Sequence, residues 1–318
     1  MTFATAISFK NLYVVFQVFL ISSFAIGISL KKWDDKHLNN FTIVSSIFIL
    51  FILVWWLALS RNINGFRAYL ANPNVLAAFL WNFQFFLFTK LISSSKKKYI
   101  YTILIFISNL MIFFTGARSL LISSIFSTLI YIFWGWWVTN KRKHNFVFSL
   151  FIAVIGFFIY FYAKIIPALN IAYYTQISRD YTGKNLLSGR QVVWSLLIDK
   201  ISEQPLFGYG SGTNPSDLIG TTLSSHNLYL QILIQIGFLG LITFIVLMFK
   251  IWNIYRIAYQ DNIVRLSASF MIGILIHQSF EVTLIQNNLA VGLLQFMVIS
   301  IGISRTKKPK FYNIASQN

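Results

Sequence analysis

A histidine followed by an asparagine, His226-Asn227, heads a long apolar run, LYLQILIQIGFLGLI. An imidazole can take or give a proton near neutral pH, so His226 could serve as general base or acid toward a hydroxyl. Its plainer use is as a helix cap at an interface. His277 and Glu281 lie four residues apart in another apolar stretch, which puts them on one helical face. Ionisable residues in a membrane segment are functional candidates. Glu281 is thus the alternative base, and the pair could equally be a hydrogen-bonded strut between helices. A His-x-x-x-Glu pair alone is weak ground for a metal, and no metal or other cofactor is expected. Three arginines, Arg67, Arg118 and Arg190, come from three separate segments. A guanidinium binds phosphate bidentately and stays charged, so their convergence would suit a diphosphate. Singly, each could snorkel to a lipid headgroup.

The elements that must position these groups are membrane helices. The chain of 318 residues is 57% hydrophobic and 11% charged, with 33 phenylalanines, where a soluble domain is about 25% charged. The fold class is all-α: a single polytopic membrane domain over 1–318. About 20 apolar residues cross the hydrocarbon core. The spans expected are 11–30, 41–60, 75–92, 99–115, 118–138, 146–166, 227–249, 266–284 and 288–304, nine in all, or ten if the count is short by one. The break between the fourth and fifth rests on TGAR, read as a tight hairpin. No proline interrupts a span. Cysteine is absent, which removes disulfides and thiolate metal sites.

The net charge of +18 is read as topology rather than nucleic-acid binding. With the tail 305–318 inside the cell membrane, 17 of the 26 Lys and Arg fall on inside segments. The long polar stretch 167–226 is then outside, facing the periplasm or extracellular space, together with Arg67, Arg118, His226 and Glu281. The N-terminus also falls outside. WDDKH, residues 33–37, reads as a solvated inside turn.

Within the large loop, Ser188-Gly189-Arg190-Gln191 has the Ser-x-x-Gln form of a capping box, predicting a helix from Ser188 to about Gln204, before Pro205. Val193, Trp194, Leu197, Ile198 and Ile201 recur at helical spacing, so the helix is amphipathic and would lie at the outer membrane surface. PLFGYGSG follows. Gly208, Gly210 and Gly212 permit close backbone approach, and such a loop could offer amides to phosphate or simply turn.

These residues together resemble the O-antigen ligase/Wzy-type polysaccharide polymerase family. The resemblance is carried by Ser188-Gly189-Arg190, Trp194, the run from Pro205 to Gly210, His226-Asn227, Gly237 and Gly240, with GFRAYLANPNVLA (65–77) and TGARSLL (115–121) upstream. It spans roughly 61–304. The family's ten to twelve spans exceed those counted here. The resemblance implies a membrane glycosyltransferase on the outer face, acting without metal on a glycan carried by undecaprenyl diphosphate, with an inverting displacement. It implies His226 as base with Glu281 as the alternative, Arg190, Arg118 and Arg67 on the diphosphate, and Trp194, Gly208, Gly210 and Asn227 shaping the loop and substrate cleft. Membrane lipid and a chain-length regulator are the further partners. Polymerase is preferred over ligase. A flippase is the rival outside the enzyme class, but no repeat supports it; a non-catalytic sensor would lack an output domain.

Overall fold

The computed structural model describes residues 9–94, 97–169, 176–177, 180, 189–221 and 224–307. Ser188, and so the capping-box reading, lies outside them. The regular elements of the described residues are helices: α1 (Phe9–Leu30), α2 (Asp35–Trp55), α3 (Pro73–Ser93), α4 (Lys98–Thr115), α5 (Arg118–Val138), α6 (Lys141–Tyr160), α7 (Arg190–Glu203), α8 (Pro215–Ile219), α9 (Leu228–Tyr255), α10 (Asn262–His277) and α11 (Leu289–Thr306). Eight of the helical stretches are long and apolar enough to cross a membrane, with Asn262–His277 a shorter ninth. The chain is thus a polytopic helical membrane protein, as its composition requires.

Helix ends follow local chemistry. Asn72 accepts from the Asn74 amide with Pro73 in the first turn of α3, where proline's missing N–H costs nothing. Gly116, at φ 72°, turns the chain between α4 and α5, so TGAR is the expected hairpin. Asp34 caps α2 by accepting from the His37 amide at 2.9 Å. α2 and α6 each continue into a π-helical turn, Trp56–Ser60 and Phe161–Ile165.

The chain divides into two compact units. One comprises Phe24–Thr139, Ile251–Ile272 and Leu294–Asn318. Its centre is α3, where Gln84 donates to Ser108 at 2.9 Å and to Asn109 at 3.2 Å. Arg256 and Arg265 donate to carbonyls of α5 through their Nε atoms, at Val138 (3.0 Å) and Tyr131 (2.7 Å). The former is a cation at a helix C-terminus, where the dipole favours it.

The other unit comprises Met1–Ser23, Asn140–Lys250 and Gly273–Leu293. Here two expected spans are corrected. The run 227–249 is not one straight span: Gly237, at φ 66° and ψ −165°, breaks α9 into 228–236 and 238–255. The second piece, 18 residues at 1.5 Å each, is about 27 Å long and is the one suited to crossing. The break needs no proline, because another stretch of chain satisfies the backbone. The amides of Tyr209 and Gly210 donate to the carbonyls of Ile234 (2.8 Å) and Gln235 (2.9 Å). The amides of Phe238 and Leu239 donate to Pro205 (2.8 Å) and Leu206 (3.3 Å). Buried backbone groups must be paired, in lipid above all, and PLFGYG pairs them.

Two glycines make that approach possible. A Cβ on Gly237 would stand 2.3 Å from the carbonyl of Leu206, and one on Gly208 2.7 Å from backbone of Gln235. Gly237→Ala should therefore lower the thermal stability of the detergent-solubilised protein sharply. Strain at such a φ/ψ alone costs about 1–3 kcal/mol. Gly27→Ala, where an added Cβ meets nothing within 4 Å, should melt with the wild type; equal melting of both variants would contradict the interlock.

The second correction concerns 266–284. The helix stops at His277, and Glu281 is not on it. Gln278 is the cause. Its side-chain oxygen accepts from the amides of Thr283 and Leu284, both at 3.0 Å, and its carbonyl accepts from Leu228 at 2.8 Å. These bonds close 278–284 into a turn, although its composition stays apolar enough to read as helix.

Candidate functional site

That turn brings Glu281 to His226. Glu281 is nearly enclosed, its side chain 6% exposed, whereas that of His226 is 31% exposed and open to a substrate. His226 Nδ1 lies 3.2 Å from Glu281 Oε2, and the Arg190 guanidinium reaches Oε1 at 3.4 Å. Arg190 at the start of α7 and His226 at the head of α9 thus share the one carboxylate of Glu281, on the turn after α10. Burial pushes the Glu281 carboxyl upward, but the hydrogen bond and charge of His226, with His277 and Arg190, hold it below the ordinary carboxylate value. An ionised carboxylate only accepts hydrogen bonds, so the proton of a neutral His226 ring sits on Nδ1 and Nε2 is left as a base.

Several bonds hold this geometry. Trp194 is fully buried on α7, and its indole N–H donates to the Ser225 carbonyl at 2.7 Å, next to His226. Tyr162 and Phe158 pack on the Trp194 ring at 5.0 and 6.2 Å between centroids. Trp194 therefore positions the histidine loop. Asn227 works from the other side: its Oδ1 accepts from the Leu230 amide at 3.0 Å, capping α9, and its Nδ2 donates to Ser279 O at 3.1 Å, two residues from Glu281. The His226 backbone takes φ 43°, a left-handed conformation uncommon for a side-chain-bearing residue and frequent where structure holds a functional group in place.

The predicted amphipathic helix is present as α7, starting at Arg190 with Gly189 as its cap at φ 81°. Val193, Trp194, Leu197 and Ile201 are its buried face, as the spacing implied. Arg190 is its first residue, and no acidic residue stands in its first turn. A cation at the positive end of a helix is locally unfavourable, and an anion there would be welcomed by both the guanidinium and the first-turn amides. Gly208 and Gly210 do not offer phosphate their amides as considered from sequence; Gly208 donates to Gln204 O at 3.2 Å and Gly210 to Gln235 O. They are interlock residues.

Arg67 and Arg118 belong to the other unit. Within it the Phe66 amide donates to Phe114 O at 3.0 Å, which joins the loop bearing Arg67 to the end of α4, just before Arg118 opens α5; both arginines are exposed. Arg118, like Arg190, opens its helix with no acidic residue in the first turn. His277 is not aligned with Glu281 on a helix face but ends α10; it is fully buried, and neither ring nitrogen has a hydrogen-bond partner among the described residues. No group of three or more His, Cys, Asp or Glu suited to a metal occurs among the described residues. The sequence did not point to Ser225, Gln231, Gln278 or Ser279 as supports, since polar residues in isolation carry no such signal.

Residues 100–245 match the family model of the O-antigen ligases. The match takes in Arg118, Arg190, Trp194, the interlock glycines, His226 and Asn227; Arg67 and Glu281 lie outside it. No curated protein and no solved structure is similar enough to count as a match. Fold and match define the class: a polytopic helical membrane protein. Residues 100–245 are similar to the O-antigen ligase family, the family its motifs resemble.

Proposed function

We propose that this protein joins oligosaccharide repeat units, each carried on undecaprenyl diphosphate, into a surface polysaccharide at the outer face of the cytoplasmic membrane. The observation that carries this reading is the His226–Glu281–Arg190 cluster: a partly exposed imidazole oriented by an enclosed carboxylate, with a guanidinium alongside. His226 Nε2 takes the proton of the acceptor hydroxyl as that oxygen attacks the anomeric carbon. The bond from this carbon to the diphosphate breaks, and its electron pair leaves with the lipid diphosphate. Arg190 stabilises the charge growing there, the kind of electrostatic aid that often dominates such reactions. One displacement inverts the anomeric centre. Arg118 and Arg67 are further diphosphate candidates on sequence grounds. The outer face follows from the loop charges.

The matched family's description favours a second reading, transfer to a lipid-core or protein acceptor. Vesicles holding the purified protein and lipid-diphosphate-linked repeat units alone distinguish them. A ladder of lengthening glycans is expected. Product formed only after a lipid-core acceptor is added would make the protein a ligase, and none under either condition would end the transferase reading.

A further inference from the structure

Among the described residues of the unit holding His226 lie two cavities of different chemistry. One, about 460 Å³, is walled almost wholly by apolar side chains, chiefly of α6, α7 and α9. The other, about 230 Å³, is polar: Tyr13, Gln17, Gly212, Asn214, Gln286 and Asn287 line it, with Lys10 at the wall. We propose that this polar pocket is a saccharide subsite, taking one sugar ring of the glycan; the inference rests on the transferase reading above.

Its chemistry is that of neutral polyol recognition. The wall supplies amide groups, each able to donate and accept, a phenol and an aromatic face. The one lysine has an acidic neighbour outside the lining, Asp217, at 3.3 Å, so the pocket is not a bare cation trap for phosphate. Its volume is below the roughly 300–1,000 Å³ of sites for drug-sized ligands, which fits a single ring. Hydrogen bonds hold several of its wall residues in place. Gln286 and Gln235 exchange two amide hydrogen bonds, at 2.6 and 3.3 Å. Gln17 donates to the Tyr13 hydroxyl at 3.2 Å, and the Gly212 amide donates to the Asn11 side chain. Preorganised groups lose less on binding.

The same bonds lead to the reacting groups. Gln231 and Gln235, one turn apart on α9, both donate to the Thr213 carbonyl, at 3.0 and 3.1 Å. Gln231 in turn accepts from the Ser225 hydroxyl at 2.9 Å, beside His226. Gln286 and Asn287 follow within a few residues of the turn that bears Glu281. A buried ladder of amides thus fixes the pocket relative to the proposed base. Asn287 holds φ 58° with its side chain exposed, a backbone that tolerates few residues besides asparagine and glycine.

Asn287→Gly keeps that backbone and removes only the amide, and Tyr13→Ala removes an exposed ring. The probe is the free repeat-unit oligosaccharide released from the cell's lipid-linked pool by mild acid, its binding to solubilised protein followed by saturation-transfer NMR. Wild-type protein should bind it, and each variant that melts with the wild type should bind at least about tenfold more weakly, the worth of one good hydrogen bond or ring contact. Should one variant fail to fold, the other carries the comparison. No binding by wild type, or variants binding as well as wild type, would overturn the subsite. Wild-type binding without any transfer in vesicles would instead overturn the transferase reading and leave the subsite standing.

Discussion

Glu281→Gln should lower glycan transfer by roughly two to four orders of magnitude while leaving the protein folded. The two side chains match in size, so the packing of the turn over 278–284 is kept. What changes is the hydrogen-bond logic. Glu281 accepts from His226 Nδ1 at 3.2 Å and from Arg190 at 3.4 Å. A glutamine can present its NH2 to Nδ1 instead, which turns that nitrogen into the acceptor and moves the ring proton to Nε2. The base is then blocked on the side an acceptor hydroxyl approaches. The same exchange in the Ser-His-Asp hydrolases costs about four orders of magnitude, for this reason. The rate of polymer formation in vesicles measures the effect. A variant within tenfold of wild type would mean that Glu281 serves only to anchor Arg190.

Arg190→Lys should cost transfer on the order of a hundredfold, the scale of losing one fixed donor to a developing oxyanion. Lysine keeps the charge but loses the planar fork that suits a diphosphate. Arg190 is the first residue of α7, where the helix dipole disfavours a cation, and its bond to Glu281 is long at 3.4 Å. The substitution removes little that holds the fold. Single-turnover rates with excess enzyme isolate the chemical step; near-normal rates for the lysine variant would show that no bidentate phosphate contact is made.

Helices of a membrane chain are written in hydropathy, and their existence was legible, although α2 and α6 begin before the expected spans 41–60 and 146–166 and α10 ends well before 284. α5 was bounded at Arg118 and Val138 from the sequence alone. Two features were not legible, and both involve one segment satisfying another's backbone. Gly237 reads as an ordinary glycine in a long span, because the chain that permits its conformation, Pro205 to Gly210, is some thirty residues away. The stretch after His277 reads as continuing helix, because one side chain, Gln278, redirects it. The chemistry of His226, Glu281 and Arg190 could be suspected from residue type and the family motifs. That they share one carboxylate could not, since Glu281 was expected on a helix face with His277 and stands instead on a turn. Trp194 and Asn227 were picked out as cleft residues; burial and bonding make them supports for the histidine loop.

The most direct test of the central claim is the length distribution of undecaprenyl-diphosphate-linked glycan in cells carrying His226→Ala. Single repeat units should accumulate and polymer should disappear, because the acceptor hydroxyl has lost its base. A distribution identical to wild type would contradict the account and leave His226 as no more than a structural residue of the loop leading into α9.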